Sequence, residues 1–270
     1  MDKFAFSVYI NVYIFMKNTL KDLDGFFRSL LDLDSFLKID DSLNGIQIGN
    51  DGSEIKKIAF AVDAGMEVFK RARDMGAGLL FVHHGLFWGN PLRLEGYNRE
   101  RVKFLLDNNI ALYGVHLPLD HHPKLGNNGV MAELLGIVDP EPFGVYHGMK
   151  IGLKGSLKTP LGIDDAVKKI SFMNRPPLGV YPFGKKENHS CAVVSGGAAF
   201  NAFDAITEGI DLYISGEASH TLYHHALECG LNIIAGGHYS TEVWGVRRMM
   251  EECVNELKID SEFIDVPTGL

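Results

Sequence analysis

The sequence predicts an α/β protein of two domains, each a mostly parallel or mixed sheet flanked by helices. Two observations carry this. Short apolar runs alternate with segments whose apolar residues recur at helical spacing, the pattern of a sheet covered on both faces. The alternation breaks between about Asp139 and Asn188, where Pro and Gly rise, and then resumes. A length of 270 residues with 46% hydrophobic content supplies apolar material for one large or two modest cores.

Taken in order, "KFAFSVYINVYIF" places Phe4, Phe6, Val8, Ile10, Val12 and Ile14 on one parity. Residues 1–15 therefore read as an N-terminal extension: an added strand, or sequence upstream of a start at Met16. They are too short to span a bilayer and lack the small-residue cleavage site of a signal peptide. "NTLKDLDGFFRSLLDLDSFL" reads as a helix behind an Asn18 or Thr19 cap, with Leu20, Leu23, Phe27, Leu30 and Leu31 on its buried stripe. "IKKIAFAVDA" then reads as strand, "GMEVFKRARDMG" as helix, "GLLFVHH" as strand, "NRERVKFLLDNN" as helix and "IALYGVH" as strand.

The middle stretch, with "DPEPFGVYHG", "HGMKIGLKG" and "LGVYPFG", reads as hairpins or a mixed sheet, and "TPLGIDDAVKKI" as a helix started by Thr159 and Pro160. Strand and turn then recur in "CAVVSGGAA", "DLYISGEASH" and "LNIIAGGHYS", with "TLYHHALECG" and "TEVWGVRRMMEECVNEL" as helices. The expected domains are residues 16–130 with about 235–270, carrying most of the candidate ligands, and residues 131–234.

Composition narrows the function classes. A formal charge of −8 and a pI near 5.7 oppose a protein whose main task is gripping nucleic acid through basic residues. Three cysteines without C-x-x-C spacing fit a reducing compartment, so a cytoplasmic protein without a membrane partner is expected.

The histidines are the chemical signal. His83 and His84 end one strand, His116 another, and His238 follows a third. In a parallel sheet those carboxyl ends lie along one edge, where open α/β folds bind ligands. Asp120 follows His116 by four residues, and Glu242 follows His238 by four at a helix start, so that pair shares a face. His83, His84, Asp120, His238 and Glu242 make a nitrogen and oxygen donor set suited to zinc, manganese or iron. Five donors with two carboxylates exceed what one tetrahedral catalytic ion takes, so two divalent ions per chain are expected. Adjacent side chains on a strand face apart, so His83 and His84 are expected to reach different ions.

His224 and His225 read as surface residues of a helix, His121 and His122 as loop residues, and His220 as a companion of Glu217. "VSGGAAF" reads as a strand-to-helix turn, since it lacks the G-K-[ST] and G-x-G-x-x-G patterns of phosphate loops. No G-x-S-x-G elbow occurs.

"NGIQIGN", "VHHGLFW", "GVHLPLDHHPKLGNN", "VVSGGAA", "YISGEASHTLYHHALECG" and "AGGHYSTE", in this order, resemble the blocks of the NIF-three-like family, whose members carry the label GTP cyclohydrolase 1 type 2 homolog. The chain departs from that pattern at Gly85, where the family usually has proline, and at Asn44; neither departure is expected to touch a ligand. The resemblance implies a two-domain α/β protein with a dinuclear metal site in the interdomain cleft, assembled as a toroidal homohexamer. It implies His83, His84, Asp120, His238 and Glu242 as ligands, with Glu242 touching both ions and His116 close by. It further implies a metal-dependent hydrolase whose activated water attacks the purine ring of a small-molecule substrate such as GTP, with His116 and Glu242 as catalytic residues and His116 moving the proton. A phosphoesterase fits the same ligands. A non-catalytic metal-binding regulatory or protein-interaction protein, possibly contacting nucleic acid, is the expectation from another class.

Overall fold

A computed structural model describes residues 17–270, so the expected N-terminal extension lies outside the described residues. The chain divides into two compact units, one of residues up to Pro118 with Val246–Val266, the other of Leu119–Gly245 with Pro267–Leu270. Each is an α/β unit built on its own sheet.

The first unit begins with helix α1 (Leu20–Leu31), capped by Thr19, whose hydroxyl accepts from Asp22 N–H while the Asp22 carboxylate accepts from Thr19 N–H. Its strands are β1 (Gly45–Ile48), β2 (Lys57–Asp63), β3 (Leu79–His84), β4 (Ala111–Gly114) and β11 (Asp260–Phe263), in the spatial order β1-β4-β3-β2-β11. All neighbours are parallel except β1, which runs antiparallel to β4.

Strands buried on both faces need cover on both faces, and the alternation of side chains supplies two different rows. Phe60, Phe81 and Tyr113 stand in register on one face, and Phe27 of α1 packs on Phe81 at 5.1 Å and Tyr113 at 4.9 Å between ring centroids. On the other face Leu80, Val82 and Leu112 join Val68, Phe69 and Ala72 of helix α2 (Met66–Asp74) and Leu105 of helix α3 (Gly96–Asp107). This double cover fixes β3 and β4, whose carboxyl ends deliver the histidines.

The second unit holds helix α5 (Asn127–Leu135), strands β5 (Ile137–Tyr146) and β6 (Met149–Leu161), helix α6 (Ile163–Ile170), and strands β7 (Gly179–Tyr181) and β8 (Asn188–Val194). It continues with helix α7 (Ala202–Thr207), strand β9 (Leu212–Ser215), helix α8 (Tyr223–Cys229) and strand β10 (Asn232–Ala235). Its sheet order is β5-β6-β8-β9-β10-β7, parallel across β8-β9-β10 and antiparallel elsewhere. The hairpin β5–β6 turns on His147 and Gly148, both at positive φ, which is the chemistry of a tight hairpin turn. Pro140 and Pro142 are tolerated because β5 is an edge strand. Ile170 of α6 and Leu135 of α5 pack with Val193, Ile214 and Ile234.

Thr159 and Pro160 do not start a helix, as their sequence suggests. They end β6, and α6 begins after Gly162. The ladder of β6 with β8 slips between Ser156 and Leu161, so Pro160 sits where pairing is already broken and its missing N–H costs nothing.

Two helices carry the chain between units. The first crossing, at Pro118 and Leu119, lies inside α4 (Leu117–His121); the second, at Gly245 and Val246, lies inside α9 (His238–Glu252). The contacts change inside helices because a helix can leave one core and enter another without a mark in composition. Among the described residues, no helix is long and apolar enough to cross a membrane.

Candidate metal centre

Three histidines of the first unit meet at the carboxyl ends of two adjacent parallel strands. His83 and His84 close β3, and His116 lies two residues beyond β4. One ligand nitrogen from each lies within 4.8 Å of the others. The ring centroids of His83 and His84 are 4.6 Å apart, and His116 is 5.1 and 5.7 Å from them.

The expectation that the neighbouring imidazoles face apart is therefore corrected. His83 continues the parity of Phe81 and His84 that of Val82, but both are terminal residues of the strand, where side chains can lean past its end and converge.

Each ring is held through Nδ1. The Nδ1 of His83, fully buried, is 2.9 Å from the carbonyl of Val115. That of His84 is 2.8 Å from Asp63 Oδ1, and that of His116 is 2.9 Å from Asp40 Oδ1. A carbonyl or ionised carboxylate only accepts, so Nδ1 must donate, and a neutral ring then keeps its lone pair on Nε2. Histidines that ligate metals are oriented in this way by outer carboxylates and carbonyls. Asp63 ends β2 and pairs with His84 in the sheet, so its position follows from register. Burial alone would raise the Asp40 carboxyl, yet the hydrogen bond and charge of His116, with Asn44 and Ser42, hold it below its ordinary value.

The loop after the histidine pair is shaped by a missing side chain. A Cβ on Gly85 would fall 2.1 Å from Gln47 Nε2 and 2.3 Å from its Oε1. Gln47 uses that room to accept from Leu86 N–H at 2.7 Å while donating to the Leu43 carbonyl. Asn44 also reaches the site: its Oδ1 accepts from the His116 N–H at 2.7 Å.

The second unit contributes Asp120, His238 and Glu242. Asp120 and Glu242 are buried and each offers an oxygen within 4.8 Å of the other. Asp120 Oδ1 accepts from Ser195 Oγ at 2.6 Å and Asn127 Nδ2 at 2.9 Å. The i, i+4 spacing at the start of α9 puts His238 Nε2 3.2 Å from Glu242 Oε1, and His238 Nδ1 lies 2.7 Å from Glu217 Oε1. The hydrogen bond to Glu242, against the pull of burial and reinforced by Glu217, raises the His238 pKa to about 9 without a metal.

"VSGG" proves to be more than a turn. Ser195 holds Asp120, Gly196 N–H donates to Thr241 Oγ1 at 3.1 Å, and Gly196 has φ +66. A Cβ there would lie 2.3 Å from Glu242 Oε1 and 3.2 Å from His238 Nε2.

The six sequence-predicted residues are thus shared between the units: His83, His84 and His116 cluster in one, and in the other Asp120 and His238 each stand beside Glu242, making the second donor set. Sequence reasoning missed Asp40, Asp63 and Ser195. Only Asp63 carries a usable signal, a carboxylate ending the strand beside the histidine strand. Glu217 stands against His238 rather than His220. His224 and His225 are exposed on α8, while His122 Nδ1 accepts from Leu125 N–H within its loop.

The sequence model of the family Duf34/NIF3 (NGG1p interacting factor 3) matches residues 18–268. A relative from Archaeoglobus fulgidus named GTP cyclohydrolase 1 type 2 homolog is 42% identical over 243 residues, covering 88% of this chain and 96% of its own. The solved structure of protein ybgI, described as of unknown function, aligns with a TM-score of 0.84 at 33% identity, covering 94% of this chain and 100% of that one. The protein TTHA1606 from Thermus thermophilus aligns with a TM-score of 0.82 at 33% identity, covering 93% and 100%. With a match running from the residue before the cap of α1 to within two residues of the C-terminus, this chain belongs to the DUF34/NIF3 family.

Proposed function

We propose that the chain is a metal-dependent hydrolase in which the two donor sets serve one dinuclear site. The observation that carries this reading is the common pattern behind the ligands: the Nδ1 atoms of His83, His84, His116 and His238 all lie on a carbonyl or carboxylate oxygen. Imidazoles so oriented, beside the buried carboxylates of Asp120 and Glu242, fit hard or borderline divalent cations such as zinc, manganese or iron. Chain continuity supports joining the sets. Helix α4 follows His116 and carries Asp120, and α9 starts with His238 and Glu242 before running on into the first unit.

In this reading His83, His84, Asp120, His238 and Glu242 hold the ions, and Glu242 serves both. Divalent ions, when bound, would supply Lewis acidity and lower the pKa of water. The chain's own contribution is to orient the donors through Asp63, Val115, Glu217 and Ser195, and to carry the proton at His116. The name shared by curated relatives points to a nucleotide such as GTP as substrate, with phosphoesters as the competing class. A homohexamer is part of the same proposal.

The test is metal analysis by mass spectrometry on purified, zinc-loaded protein, followed by turnover of GTP and a phosphoester panel. Two ions per chain and turnover lost in both His83→Ala and Glu242→Ala are expected. Intact substrates throughout, with those variants losing only metal, favour the second reading, a metal-holding interaction protein, which the family's description as an interacting factor keeps in play.

A further inference from the structure

Asp40 differs from the other outer partners of the histidines. Its side chain is 1% exposed, and both oxygens are used twice. Oδ1 accepts from Ser42 N–H at 2.9 Å and lies 2.9 Å from His116 Nδ1. Oδ2 accepts from Asn44 Nδ2 at 2.8 Å and from Leu117 N–H at 3.0 Å. Three N–H donors around one buried carboxylate favour its ionised form, which can only accept, so the Nδ1 of His116 beside it is the fourth donor. Asn44 completes the arrangement by accepting the main-chain N–H of His116 at 2.7 Å. His116 is thus gripped at its ring and its backbone by a five-residue segment, Asp40 to Asn44. By contrast, Asp63 is 36% exposed at its side chain and meets His84 through Oδ1.

We propose that Asp40, braced by Asn44, is the positioning residue that fixes His116 as its Nδ1–H tautomer and keeps Nε2 as a ready proton acceptor, rather than a member of the ion-holding set. A neutral histidine side chain in water favours the other tautomer, with the proton on Nε2, so an acceptor on Nδ1 is needed to reverse the preference. Asp40 supplies that acceptor with its own geometry fixed by three further donors. Trp88, edge-on to His116 at 5.0 Å between ring centroids, limits the ring's other orientations. The proposal deepens the hydrolase reading by naming what prepares His116 for proton transfer, and it rests on that reading.

The tautomer is read by nitrogen and carbon NMR of isotope-labelled histidine, with the His116 signals assigned by their loss in His116→Gln. The wild-type protein is expected to show His116 with its proton on Nδ1. In Asp40→Ala the Nε2–H form is expected to become the major one, while zinc bound per chain stays at the wild-type level and the His83 signals do not move. Asp40→Asn carries the same test if the alanine variant fails to fold, with a smaller rise of the Nε2–H form. A wild-type His116 carrying its proton on Nε2, a tautomer unmoved in both variants, or zinc lost as fully as in His83→Ala would each overturn the proposal. Failure of the hydrolase reading looks different: wild-type protein that takes up no zinc, or turns nothing over, while the tautomer result stands.

Discussion

The two donor sets are built by opposite means. In the first unit the donors are imidazoles at the ends of parallel strands, and their positions follow from sheet register and from the aromatic row of Phe60, Phe81 and Tyr113 beneath them. In the second unit the donors are two buried carboxylates and one imidazole, placed by helix starts and by loops whose glycine leaves room. The first set is uncharged when its rings are neutral; the second brings negative charge into a buried place and needs compensation. A rigid neutral set gives geometry, and a buried anionic set gives affinity for a cation.

That contrast can be broken by substitution. The largest effect is expected at Glu242. Glu242→Ala removes the carboxylate proposed to serve both ions, so zinc per chain should fall toward zero by mass spectrometry, whereas His83→Ala should leave partial occupancy. Equal loss in both would erase the distinction between the sets.

Gly196→Ala should come next. The added methyl falls on Glu242 Oε1 and the residue sits at positive φ, so zinc affinity by titration calorimetry should drop sharply, with a stability loss of about 1–2 kcal/mol from backbone strain alone. Gly85→Ala meets only the flexible end of Gln47 and should cost less in both readings.

Smaller again are the outer partners. Asp63→Asn and Glu217→Gln each leave an oxygen on the histidine but remove its charge, and each should weaken zinc binding by about 10–100-fold. Finally, Phe27→Ala should cost about 3–5 kcal/mol in denaturant unfolding by emptying the aromatic cover of the first sheet. Zinc stoichiometry of its folded fraction should stay unchanged, separating fold support from donor chemistry.

Much of the first unit is legible in the sequence because strand and helix periods are local. The run "GLLFVHH" announces a buried strand ending in histidines, and the Leu20–Leu31 stripe announces its covering helix. Strands β1 and β11 are not legible: "GIQI" and "DSEF" lack the continuous apolar run that marks the equally short β4, β9 and β10, and tertiary pairing makes them strands. Candidate ligands are visible because histidine after an apolar run is unusual chemistry. Their outer partners are invisible, since Asp40 lies 76 positions from His116 and nothing in "IDDSLNG" separates a clamp from a turn. Convergence of His83 and His84 escapes a sequence reading because strand alternation says nothing about how side chains lean at a strand's last residues.

The most direct test of the central claim is anomalous diffraction at the zinc edge from crystals of the zinc-loaded protein. The account predicts two peaks per chain, both within ligand distance of Glu242, one touching His83 or His84 together with Asp120 and the other including His238. Zinc held by the three histidines of the first unit alone, with Asp120, His238 and Glu242 bare, would contradict it.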